Sequence, residues 1–160
     1  GCATSAPQGS AKPIRVCAGE ALMTRIILGA IDLPADLQWS DEFTAWRVGQ
    51  QARTSLTGAL IVQESARQAG RPITLKTTRD GTAYVGVVSL PTLRALQESE
   101  SEARAAPIDL VMPAHNGGER AFQVRWRRTD GPAIEVEPTR FAVPALDADL
   151  FSITLRLMTV

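Results

Sequence analysis

The feature that most constrains this chain is alternation. From Met23 onward apolar and polar residues exchange places with a period of two, the period of a strand whose side chains point to opposite faces. The runs that carry it are Thr24 to Leu28, Ser55 to Gln63, Ile73 to Thr78, Ala83 to Ser89, Ile108 to Met112, Ala121 to Arg128, Ala133 to Glu137 and Phe151 to Met158. So many short strands in residues 23–160 predict one mainly β domain, an antiparallel barrel or sandwich. At 160 residues the chain is long enough to bury a core without covalent staples.

One segment departs from that period. In Ser89-Leu90-Pro91-Thr92-Leu93-Arg94-Ala95-Leu96-Gln97 the leucines recur every three residues behind a proline suited to a first helical turn. A short helix with Leu90, Leu93 and Leu96 against the sheet is expected. The acids Glu98, Glu100 and Glu102 should fray its end and face water.

The segment AFQVRWRRTDGPAIEVE, residues 121–137, reads as a hairpin. Phe122, Val124 and Trp126 share a face, as do Ile134 and Val136, and directly opposed residues of an antiparallel pair lie on one face. Even positions must therefore pair with even ones. A two-residue Asp130-Gly131 loop breaks that rule, so a loop of three or five residues is required, with Gly131 at positive φ. Arg127 then faces Glu135 and Arg125 faces Glu137, a ladder of exposed ion pairs rather than a phosphate track.

Chemistry finds little support. Lys plus Arg and Asp plus Glu both number 17, so there is no bulk attraction to nucleic acid or an anionic membrane, and no specific nucleic-acid binding is expected. No apolar run approaches the roughly 20 residues that span a bilayer. Cys2 and Cys17 match neither a zinc nor a redox spacing, and His115, the one histidine, sits in a Pro-Ala-His-Asn-Gly-Gly turn. The acids Asp41 and Glu42, and Asp147 and Asp149, read as loop and capping residues. No phosphate loop or nucleophile elbow occurs. We expect no enzyme, no cofactor and no metal. Residues 1–22 are small, polar and broken by Pro and Gly, and read as a flexible arm or a non-native extension rather than a lipid-anchor signal.

Trp39, Phe43 and Trp46 cluster at spacings of four and three. Exposed, they would make a platform for sugar rings; on one apolar face, they would pack on the domain or on a neighbouring subunit.

The chain resembles small structural proteins of the tail tip and baseplate of long-tailed bacteriophages. The resemblance covers Met23 to Val160. It is carried by the order ILG-IDLP, LQWSDEF, SLTGALIVQESARQAGRPITL, a Val-rich strand, an LxxL helix, RWRRTDGPAIEVEP and a final ITLRLMTV. Its most specific pieces are Gly58-Ala59-Leu60, Gly70-Arg71-Pro72-Ile73-Thr74-Leu75, Asp130-Gly131-Pro132-Ala133 and Glu137-Pro138. What it implies is a virion protein of the β-barrel group that builds tail tubes, distal rings and baseplate hubs, with other tail proteins as partners and a homo-oligomeric ring as the assembly. The alternative is a carbohydrate- or receptor-binding module of a phage tail.

In that setting the stretch from Ser55 to Leu75 acquires a purpose. A strand from Leu56 to Val62, followed by Pro72, which cannot donate to a ladder, leaves one edge open and blocks another. It reads as a hairpin that joins subunits. The expected contact residues are Leu56, Leu60 and Val62, with Trp39, Phe43 and Trp46 beside them.

Overall fold

A computed structural model describes residues 25–160, apart from 46, 104, 105, 115, 142 and 144. The arm of residues 1–22, both cysteines, Trp46 and His115 therefore lie outside the described residues. Strands β1 (Arg25–Leu28), β2 (Ile31–Pro34), β3 (Gln38–Trp39), β4 (Val48–Thr54), β5 (Leu60–Ala66), β6 (Pro72–Lys76), β7 (Thr78–Asp80), β8 (Ala83–Val85) and β9 (Val88–Ser89) precede the helix α1 (Leu90–Ser101). Strands β10 (Ile108–Pro113), β11 (Glu119–Trp126), β12 (Ile134–Pro138) and β13 (Leu150–Thr159) follow it. The protein is mainly β, as its alternation predicts.

Nine strands form one antiparallel sheet whose main path runs β2-β1-β10-β11-β13-β6-β3, with β12 and β9 also paired to β13. The two ends of that path, β2 and β3, are neighbours in sequence, separated only by residues 35–37. Laid flat, seven strands would put these ends about 29 Å apart, whereas four residues of chain reach about 14 Å at most. The sheet must curl on itself into an open, barrel-like form in which β2 and β3 stay unpaired with each other. Its inner face carries Ile26, Leu28, Leu110, Val124, Trp126, Ile153, Leu155, Leu157, Ile73 and Leu75, all buried. Helix α1 packs on β2, β9 and β13, and Leu93 and Leu96 enter the core. Pro91 begins the helix as expected, but the helix continues through the acidic run to Ser101. Arg128 holds that end, its Nε 2.7 Å from Glu100 Oε1 and its Nη2 bonded to the Glu100 carbonyl.

Two expected strands are interrupted. Thr77, the only buried polar residue among those described, separates β6 from β7. Its hydroxyl donates to the Gly86 carbonyl (3.0 Å) and accepts from the Ile153 amide (2.9 Å). Gly86 breaks the run from Ala83 to Ser89: its φ is +79°, and a Cβ there would lie 3.1 Å from the backbone of Asp36 and Leu37.

The expected hairpin of residues 121–137 does not form. Strands β11 and β12 do not pair; both lie antiparallel to the same side of β13, end to end. Trp126 opposes Leu157 and Ile134 opposes Leu155, so residues 127–133 are a loop thrown out opposite the single residue Arg156. The Arg127 amide donates to the Arg156 carbonyl (2.9 Å), and the Arg156 amide to the Ala133 carbonyl (2.8 Å). The inward parity of Val124, Trp126 and Ile134 is as read from the sequence, but a strand from the end of the chain supplies the partner. The pairs Arg127–Glu135 and Arg125–Glu137 lose the strand pairing that would have created them. Arg156 binds Glu135 instead (2.7 Å), and Arg127 lies 3.1 Å from Asp130 and 3.8 Å from Asp41.

Candidate interaction surface

The run from Ser55 to Gln63 is also rearranged. Residues 55–59 are a turn, β5 begins at Leu60, and its partner is β4, seven mostly polar or small residues that carry no burial pattern of their own. This β4–β5 hairpin makes a sheet separate from the barrel and does not pair with β6. Every residue of β5 is exposed, and so is all of β4 except Gly49. The hairpin is rooted where the Arg67 amide donates to the Arg47 carbonyl (2.8 Å) and the Gly70 amide to the Thr159 carbonyl (2.9 Å).

Its two faces differ. The register Val48↔Ala66, Gln50↔Glu64, Ala52↔Val62 and Thr54↔Leu60 puts five apolar side chains on one face, interrupted by a Gln50–Glu64 hydrogen bond of 2.6 Å. Gly49, Gln51, Arg53, Ile61, Gln63 and Ser65 form the other. Leu60 is 67% exposed and Val62 45%, while Leu56, in the turn, is fully exposed. That turn is held in one shape: the Ser55 amide donates to the Ala59 carbonyl (2.8 Å), the Gly58 amide to the Ser55 carbonyl (2.9 Å), and the Ala59 amide to the Ser55 hydroxyl (3.1 Å). Gly58 supplies the positive φ, +85°. At the root, a cavity of about 420 Å³ opens between the apolar face, at Val48 and Ala66, and the barrel end, at Ala69 and Thr159.

An isolated two-stranded hairpin is marginally stable in water. This one has an amphipathic pattern, and among the described residues nothing covers either face. Leu56, Leu60 and Val62 are therefore brought together on one element. Val48, Ala52 and Ala66 complete its apolar face, and sequence reasoning missed them because Gln50, Gln51 and Arg53 leave no alternation in β4.

The aromatic cluster divides. Trp39 is half-buried against the core, edge-on to Phe122 (5.6 Å between centroids), with the Arg71 and Arg120 guanidiniums 4.7 and 5.3 Å from its ring centre. Phe43 is 93% exposed, and Trp46 lies outside the described residues. Trp39 is thus packed against the core, while Phe43 projects into solvent. Asp41 and Glu42 between them are structural pins. The Asp41 carboxylate accepts the Thr74 amide (2.8 Å) and hydroxyl (2.7 Å), and Glu42 accepts Arg120 (2.6 Å). These bonds fix the turn after β3 on β6 and β11. Asp149 accepts the Leu146 amide (2.6 Å), the capping role read for it.

A second exposed apolar stretch links β12 to β13, where Phe141, Val143 and Leu146 face solvent. Among the described residues no three His, Cys, Asp or Glu side chains converge as metal ligands, and no helix is long and apolar enough to cross a membrane. Compared with protein-family models, curated proteins and solved structures, the chain finds no significant match.

Proposed function

We propose that the protein is a structural component of a bacteriophage tail tip or baseplate, working by assembly with copies of itself and with other tail proteins. One observation carries this reading: a shaped β-hairpin makes a sheet separate from the main nine-stranded sheet and presents Val48, Leu60 and Val62 to solvent. A hydrophobic core is already in place without it, so the apolar face is explained by contact with a neighbour. The resemblance of the sequence to tail-tip proteins supplies the setting. The alternative, a sugar-binding platform at Trp39, Phe43 and Trp46, is weakened by the engagement of Trp39 with Phe122, Arg71 and Arg120.

The test is Leu60→Ser with Val62→Ser in the phage genome that encodes the chain. Both side chains are exposed, so the purified variant should fold, while particles should lack complete tails. Infectious particles with normal tails would overturn the proposal.

A further inference from the structure

Although the chain is neutral, its charge is unevenly placed. Residues 47–67, the hairpin and its root, hold Arg47, Arg53 and Arg67 against Glu64 alone, a net charge of +2. Helix α1 has the opposite excess, with Glu98 and Glu100 in its last turns, Glu102 at its C-cap and no basic residue in the last turn. Acids there lie at the negative end of the helix dipole, which disfavours them. Arg128 answers Glu100 from within the molecule.

Beside Glu98 and Glu102 lies a pocket of about 220 Å³ floored by Ala30, Ile31, Ala95 and Ile108. Its lining mixes these apolar side chains with polar surface, to which Glu98, Ser99 and Glu102 contribute. The hairpin offers the complement: an uncharged, preshaped tip with Leu56 outermost and Arg53 just behind it, paired across the strands with Ile61.

Both features sit at one end of the barrel. Thr159, at the hairpin root, is opposite Val124, which is opposite Ile108 in the pocket floor. Thr159 is thus two strand spacings, about 10 Å, from the pocket floor, and the hairpin strands are about 23 Å long. In the isolated chain the tip is in solvent and the pocket is unfilled by it.

Resting on the reading of the hairpin as an assembly element, we infer that its tip seats in the pocket beside the C-terminal end of α1 of a second copy, with Arg53 against Glu98. Because tip and pocket are different surfaces, each copy gives one contact and receives one. Such a heterologous contact propagates into a ring when its rotation closes.

Charge reversal tests this on the full chain, with the association state followed by sedimentation velocity. The wild type should associate. Arg53→Glu and Glu98→Arg should each weaken association about tenfold or more, with far-ultraviolet circular dichroism unchanged, because each sets like charges together. An equimolar mixture of the two variants, and the doubly substituted chain, should recover it, since each restores opposite charges across the contact. A monomeric wild type, single reversals without effect, or no recovery in the mixture and the double variant would overturn the inference. If Leu60→Ser with Val62→Ser still disperses the copies while the charge swap fails to recover them, the pocket is wrong and the hairpin reading stands. If neither set alters association, both fall.

Discussion

Replacing Gly131 with alanine tests the loop that takes the place of the expected hairpin. Gly131 has φ +132°, and a Cβ there would come within 2.5 Å of Arg156 Nη1. Arg156 fills the loop, donating to the Pro132 carbonyl at 3.0 Å and to Glu135 at 2.7 Å. The new methyl group must displace the guanidinium, a flexible side-chain end, so both bonds go while the backbone stays. Holding alanine in this region costs about 1–2 kcal/mol. The lost contacts add about 1 kcal/mol, a low figure because Glu135 is close to half exposed and water screens the pair. Gly131→Ala should thus destabilise the chain by about 2–3 kcal/mol. Arg156→Ala should cost about 1 kcal/mol. Since both substitutions remove the same bonds, the double variant should cost no more than Gly131→Ala alone, a coupling of about 1 kcal/mol. Urea unfolding of the four proteins measures this cycle. Additive costs, or a Gly131→Ala change below about 0.5 kcal/mol, would refute the bulged loop.

Trp39→Ala should destabilise the fold by about 2–4 kcal/mol, because Trp39 packs on Phe122 at the edge of the core, whereas Phe43→Ser should change it by less than about 0.5 kcal/mol. Equal effects in denaturant unfolding would contradict that division of the cluster. Thr77→Val keeps the shape of the side chain but leaves the Ile153 amide and the Gly86 carbonyl without their buried partner. A loss of about 2–4 kcal/mol and faster amide exchange at Ile153 are expected, and a neutral substitution would show that the hydroxyl does not tie the end of β6 to β13 and to the turn at Gly86.

Strands with one face in the core were legible because burial writes alternation into them. Ile26 and Leu28, Leu110 and Met112, and Ile153, Leu155 and Leu157 all point inward as their spacing requires. Strand β4 was not legible, because neither of its faces is buried and Gln50, Gln51 and Arg53 leave no pattern to read. The Asp130-Gly131 signal marked a real excursion of the chain. Local sequence cannot show that β13, some twenty residues further on, becomes the partner of both flanking strands. Leu60 and Val62 were visible for the same reason as the core residues, and alternation alone does not distinguish a buried face from one awaiting a partner. The neighbours of Trp39 were out of reach, since Arg71, Arg120 and Phe122 come from distant segments.

The central claim, that this chain is a building block of a phage tail, is tested most directly by antibody-gold labelling of purified particles viewed by electron microscopy, with the antibody raised against the whole chain. Gold is expected at the tip of the tail, several grains per particle when labelling is saturated, and none on particles carrying Leu60→Ser with Val62→Ser. Intact tails without label after mild disruption, or label confined to material outside the particles, would contradict it.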